Sequence, residues 1–312
     1  MPRRILPGRT YLITRRCRQR TFLLRPCPDT NEILRFTSAH ASTRTGVVVH
    51  ARACMSTHTH EVVTDVEGRL PEYMHGSNLN ASRCLNTRFG ESENLWAAGR
   101  PNVVELHDPE RILDAIVYTL GNPVTAGLVA RSADWPGVIS SPEDWLAGPE
   151  VIGRPDVFFR PKGSVPDHVT VQLTAPPTSD GGEHDATKRL VREVRARLTA
   201  LEDEVAERLK TEGRSPLGSA AVLGASRHER ARSTEKFGTL VPNLAAASAG
   251  IRVAAIAARK AFIDAYRVAR ASWLSTTKAV VFPEGTWQLR CDPRAIVTGA
   301  IYALPPPALI AA

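Results

Sequence analysis

The chain has 312 residues, and its 40 lysines and arginines outnumber its 32 acids to leave a formal charge of +8. That length expects two domains, or one domain with a large extension, and the excess of positive charge points to a nucleic-acid partner. No run is long and apolar enough to cross a membrane, the start has no apolar signal core, and Cys17, Cys27, Cys54, Cys84 and Cys291 show no paired metal-ligand spacing. An odd cysteine count in an unsecreted chain reads as free thiols in a reducing compartment, so a cytoplasmic location is expected.

Arginines crowd the start. Before the first acid, Asp29, stand Arg3, Arg4, Arg9, Arg15, Arg16, Arg18, Arg20 and Arg25. Such an arm can neutralise DNA phosphates by displacing counterions. A solvated basic tail is the plain alternative. An organelle transit peptide is also arginine-rich and acid-poor, but residues 10–14 alternate as a strand does. A strand is therefore expected near 10–15, a helix near 30–45, and strands near 47–55 and 59–65, because those strand segments are short, β-branched runs bounded by polar residues. A helix near 69–87 and a strand near 102–106 follow. Tyr11, Phe22 and Trp96 are aromatic groups on which unpaired bases could stack, or simply core.

Two short motifs carry the chemistry. In His58-Thr59-His60 the alternation of a strand puts both imidazoles on one face, about 7 Å apart, close enough to share an ion. Residues 109–121 place Ile112, Ala115, Ile116, Thr119 and Leu120 at helical spacing. Asp108 is the expected N-cap, Pro109 the first helical residue, and Pro123 and Gly127 the end. Tyr118 and Asn122, four apart, share one face of that helix. Each signal has a plain counterpart. A histidine pair occurs in ordinary strands, Asn before Pro ends helices with no other role, and a tyrosine can be core with a satisfied hydroxyl.

The second half is less specific. Residues 137–167 are Gly- and Pro-rich and read as a connector, and 168–174 alternate like a strand. Pro176, Pro177 and Asp180-Gly181-Gly182 interrupt the chain before a helix at 184–212, whose stripe is Val191, Val194, Leu198, Leu201, Val205 and Leu209. A second long helix near 244–275 aligns Ile251, Ala255, Phe262, Tyr266, Ala269 and Trp273. The two helices either pair as an antiparallel hairpin or serve as an oligomerisation arm, so monomer and homodimer both stay open. The basic stretch 226–236 between them is a DNA-phosphate contact or a solvated connector. Residues 280–290 read as a β-hairpin turning at Pro283-Glu284-Gly285. No internal repeat is evident.

Antiparallel strands with helices gathered on one face make an α+β sandwich. The blocks 7–16, 46–51, 55–60, 68–74, 94–96, 118–129 and 134–136, in this order and spacing, give residues 1–150 a resemblance to the IS200-like single-tyrosine transposases of the HUH endonuclease class. The similarity is greatest to the REP-associated tyrosine transposases. The resemblance implies a ferredoxin-like sheet in residues 1–150 and a mainly helical C-terminal extension over 151–312. It further implies that His58 and His60 are metal ligands, that Asn122 is the third ligand, and that Tyr118 is the nucleophile forming a 5′-phosphotyrosine link with a free 3′-hydroxyl. Two imidazoles, an amide oxygen and waters suit Mg²⁺ or Mn²⁺; zinc suits the set less well, since no cysteine closes it. The expected partner is single-stranded or hairpin, REP-like DNA. Two positions depart from the family pattern: Thr59 stands where a bulky apolar residue is usual, and Thr57 where Asn is usual. They keep open a domesticated DNA-binding protein with impaired catalysis. A structural or interaction protein built on the long helices is the third reading.

Overall fold

The computed structural model describes residues 2–177, 184–232 and 242–299 of the chain. In chain order the first half forms β1 (Arg9–Arg16), α1 (Pro28–Thr45), β2 (Val47–Cys54), β3 (His58–Asp65), α2 (Leu70–Phe89), β4 (Asn102–Leu106) and α3 (Pro109–Thr125). There follow β5 (Glu150–Gly153), β6 (His168–Val171), α4 (His184–Thr211), α5 (Ser219–Gly224), β7 (Leu244–Ala245), α6 (Ala249–Ser275), β8 (Val280–Phe282) and β9 (Ala295–Val297). The main sheet runs β2-β3-β1-β4-β7, antiparallel except for the β4–β7 pair. The βαββαβ order with these neighbours is the ferredoxin-like arrangement expected from the sequence.

Strand alternation distributes the core over two faces. Tyr11, Ile13, Val63 and Val103 meet Ala41 of α1 and Leu70 and Tyr73 of α2 on one face. Val62 and Val104 meet Ile112, Ile116 and Leu120 of α3 on the other, with Val191, Val194 and Leu198 of α4 behind them. The two helices of the βαββαβ unit thus share one face, as expected, while α3 and α4 close the opposite one. The helix starts are set locally: Asp65 accepts from the Arg69 and Leu70 amides at 2.7 and 2.9 Å, turning β3 directly into α2. Asp108 accepts from the Arg111 amide at 2.9 Å and caps α3, with Pro109 as its first residue.

Three sequence expectations are corrected and one is refined. Helix α3 ends at Thr125, between the expected markers Pro123 and Gly127, and runs through Pro123. Proline removes one backbone donor, and burial of Val124 beside Val205 and Leu209 of α4 outweighs that loss. The two long helices do not form a hairpin: α4 lies along α3, whereas α6 packs against β7 and β8. The apolar stripe of α4 finds the uncovered face of the sheet first. Residues 137–167 are more than a connector. Val138, Ser140 and the Trp135 and Trp145 indoles bond Cys54 and its neighbours along β2, sealing that sheet edge. Finally, the turn at Gly285 (φ 89°) exists, but β8 pairs in parallel with β9 rather than in a hairpin. Ile5 donates to the Gly285 carbonyl and Trp287 packs into the α1–α2 side of the core, which draws the chain away from β8 before it returns. Asp180-Gly181-Gly182 and residues 233–236 lie outside the described residues.

α3 and α4 pack closely at Gly121, where an added Cβ would meet the terminal Cδ2 of Leu201. Gly121→Val adds more bulk than one rotamer change of Leu201 can absorb and is expected to destabilise the fold by about 1–3 kcal/mol, read as a lower urea midpoint at unchanged slope. An unaltered midpoint would mean that α4 is not seated there. Among the described residues no helix is long and apolar enough to cross a membrane, and Cys17, Cys27, Cys54 and Cys84 are unpaired thiols.

Candidate catalytic site

β3 and α3 bring the two sequence motifs together. His58 and His60 alternate with Thr59 and Glu61, so both imidazoles leave the sheet on the α3 side. Their ring centroids are 4.6 Å apart, and the His60 centroid lies 5.1 Å from that of Tyr118. Asn122, one turn after Tyr118, lies beside both His58 and the Tyr118 hydroxyl, near enough to shift the pKa of each. Four side chains from positions 58, 60, 118 and 122 therefore meet in one place, which a strand and a helix crossing it make possible without any loop. The tyrosine is 49% exposed while His60 is 3% exposed, so the phenol stands at the mouth and the imidazoles at the floor.

Each imidazole is oriented by a threonine. His60 Nδ1 lies 2.9 Å from Thr14 Oγ1, its register partner on β1. His58 Nδ1 lies 2.8 Å from Thr57 Oγ1. A hydrogen bond at Nδ1 fixes the ring and commits the other nitrogen to its surroundings. Thr57, unusual beside the family pattern, therefore has a defined contact at the site. Thr59 is turned to the opposite face and is buried there.

Burial lowers the pKa of His58 to about 4, against a smaller opposing effect of Asn122; Arg16 and Arg20 lower it further. Burial, then the neighbouring His58, lowers that of His60 to about 3. Both rings are thus neutral at pH 7, the form that ligates metals. Burial raises the Tyr118 pKa and Asn122 offsets part of that rise, so the resting phenol is protonated.

The arginine arm is ordered rather than trailing. Arg16 sits in register with His58 on the same face, and with Arg20 it adds positive charge at the His58 end of the site. Gln19 and Arg20 hold left-handed backbone angles (φ 49° and 55°), a conformation uncommon for residues with side chains, in the turn that leads off β1. The remaining arginines go elsewhere. Arg15 points to the opposite face, where it bonds the Gly99 carbonyl at 2.9 Å and lies over Trp96. Arg9 pairs with Glu105 at 3.7 Å, Arg18 with Glu91 and Glu93, and Arg3 with the Pro101 carbonyl. Arg4 lies against the turn at Gly285. The basic stretch 226–232 docks beside the arm, with Ala231 donating to the Arg20 carbonyl and Phe22 to that of Glu229. Tyr11 is core, not a stacking surface.

Among the described residues no three His, Cys, Asp or Glu side chains stand close enough to share an ion. A metal held at this place would have His58, His60 and the Asn122 amide as its nearest side-chain donors. The set fits: two neutral imidazoles and an amide converge, and water can complete an octahedral shell around Mg²⁺ or Mn²⁺. Thr14 and Thr57 were not among the sequence candidates. Thr14 was findable, because antiparallel register sets it opposite His60; Thr57 was not, since its contact depends on the shape of the turn between β2 and β3.

No family model matches the chain, and no curated protein does. Among solved structures, a REP-associated tyrosine transposase bound to a REP hairpin aligns with 44% of this chain and 79% of its own, at 19% identity and a TM-score of 0.38. A protein from Deinococcus radiodurans assigned as a transposase aligns with 33% of this chain and 83% of its own, at 15% identity and a TM-score of 0.27. Similarity at this level does not specify an activity.

Proposed function

We propose that the chain is a transposase-like DNA endonuclease that nicks and rejoins single-stranded or hairpin DNA through Tyr118. The observation that carries this reading is the convergence of Tyr118, His58, His60 and Asn122 across β3 and α3. Two desolvated imidazoles beside a half-exposed phenol are the kind of perturbed cluster that functional sites gather.

The chemistry follows from the groups present. His58, His60 and Asn122 would hold a divalent ion, which supplies charge neutralisation at a phosphodiester. Arg16 and Arg20 add to the positive field on the same side. The Tyr118 oxygen then attacks phosphorus in line with the 3′-oxygen. The tyrosine O–P bond forms, the P–O3′ bond breaks, the phenolic proton passes to water, and the departing 3′-oxygen takes a proton from water. The 5′-phosphotyrosine keeps the strand on the protein, so that attack by a 3′-hydroxyl can reseal it. Asn122 orients the phenol and His58 together, the positioning such a step needs.

A labelled, randomised hairpin pool incubated with Mn²⁺ should give a covalent protein–DNA band on a denaturing gel, and chelator should remove it. A band that survives chelation overturns the metal assignment. Absence of the band with both Mn²⁺ and Mg²⁺ favours a DNA-binding protein without catalysis. Thr57→Val and Thr14→Val each remove a bond to an imidazole Nδ1 and should raise the Mn²⁺ concentration for half-maximal adduct formation about 10–100-fold. Equal Mn²⁺ titrations for variants and parent would deny the threonines that role.

A further inference from the structure

The face of the sheet turned away from Tyr118 carries a second feature. Helix α2 and the segment after it face α6 across a cleft of about 770 Å³, lined also by Pro2, Arg3, Ile5 and residues 286–288. Trp96, Tyr266 and Trp287 open onto it. Trp96 is fixed by its Nε1 donating to the Asn78 carbonyl at 2.8 Å, and Tyr266 is braced by Phe262 and Phe282 at centroid distances of 6.1 and 5.7 Å. The same walls present Arg3, Arg15, Arg100, Arg267 and Arg270, and no lining residue is an aspartate or glutamate. Arg15 and Arg3 are held by the Gly99 and Pro101 carbonyls, which position a guanidinium without cancelling its charge. Arg267 pairs with Asp264 at 3.4 Å, whereas Arg270 is exposed and pairs with no carboxylate among the described residues.

We propose that this cleft binds an unpaired strand of DNA. Flat rings interleaved with arginines match a ligand that alternates planar bases with phosphates. Duplex DNA fits poorly, because its bases are already stacked on each other and cannot reach rings inside a cleft. A volume in this range encloses a ligand of drug size, or about one or two nucleotides. Arg15 and Arg16 are consecutive on β1 and point to opposite faces, so one sheet thickness separates the cleft from the Tyr118 site. A single strand rounding the end of β1 passes from one to the other. α6 and the residues after β8 supply Tyr266, Arg267, Arg270, Thr286, Trp287 and Gln288, about a third of the lining, which gives the C-terminal extension a role in grip. The inference stands on the cleft alone and does not require catalysis at Tyr118.

The test uses the full chain and fluorescein-labelled oligothymidylate in anisotropy titrations over a range of salt, with a duplex of equal length beside it. Arg100→Glu with Arg270→Glu should weaken oligothymidylate binding at least about ten-fold and flatten the salt slope by about 1 to 1.5, the loss of two phosphate contacts on a single strand. Arg189→Glu with Arg192→Glu makes the same charge change on the exposed side of α4 and should leave affinity within about two-fold. Unaltered thermal melts establish that both double variants fold. Equal binding by the two double variants overturns the proposal, as does parent protein that prefers duplex. The same titration in Tyr118→Phe keeps the two readings apart: lost adducts with retained binding concern the catalytic site only.

Discussion

Tyr118→Phe is expected to abolish the covalent DNA adduct altogether while leaving DNA affinity within about two-fold of the parent. The substitution removes one oxygen and keeps the ring. Tyr118 is half-exposed, and its hydroxyl has Asn122 as its polar neighbour, so fold stability should move by no more than about 0.5 kcal/mol. Contact between the ring and His60 is retained, which leaves the imidazole floor in place. What disappears is the single group whose oxygen can form the phosphotyrosine bond. Asn122→Ala is the informative companion. It keeps the nucleophile but removes the amide that lies beside both His58 and Tyr118, so adducts should form slowly and with a higher Mn²⁺ requirement. An adduct of undiminished intensity in Tyr118→Phe would move the nucleophile elsewhere and dissolve the functional reading, while leaving the fold untouched.

How far the sequence exposed this arrangement differs by element. The strands and the helices of the first half were legible because their periodicities are strong and their caps are local: Asp108 and Pro109 start α3 where they were expected to. Strand parity put His58 and His60 on one face and helical spacing put Tyr118 and Asn122 on another; that the two faces meet was implied by the family resemblance, not by either period. The arginine arm was misleading. Eight arginines before the first acid look equivalent in sequence, yet β1 sends Arg15 and Arg16 to opposite faces, and Arg18 is occupied by Glu91 and Glu93, which arrive from the far end of α2. The destination of α4 was hidden for a similar reason. An apolar stripe records that a partner exists, not which one, and the sheet face beside α3 was open to α4 before α6 could be reached. The edge seal by Trp135 and Trp145 could not be read at all, because indole-to-carbonyl bonds to Cys54 and His50 leave no periodic trace.

Glu61→Ala should be the most destabilising single substitution in the strand that carries the histidines, at about 3–5 kcal/mol. Glu61 lies between His60 and Val62 in sequence but points to the α1–α2 face, where it is buried. Its Oε1 meets Arg52 Nε at 3.1 Å and accepts from Ser38 Oγ at 3.2 Å, and its Oε2 accepts from the Tyr73 hydroxyl at 3.1 Å. Arg52 also donates to the Leu34 carbonyl at 2.7 Å, so the cluster ties β2 and β3 to both helices on that face. Truncating Glu61 strands the Arg52 guanidinium in a site 9% exposed and leaves the Ser38 and Tyr73 hydroxyls with only each other, 2.9 Å apart. The expected loss shrinks when both charges go. Arg52→Met with Glu61→Leu removes the desolvation cost along with the attraction and should recover most of the loss. Urea unfolding of the two variants discriminates sharply: a double variant no better than Glu61→Ala would show that the carboxylate's hydrogen bonds, rather than the stranded arginine, govern the effect. Because His58 and His60 leave the other side of the same strand, the Glu61→Ala protein that remains folded should also need more Mn²⁺ to form adducts, through looser placement of β3 rather than any change in its ligands.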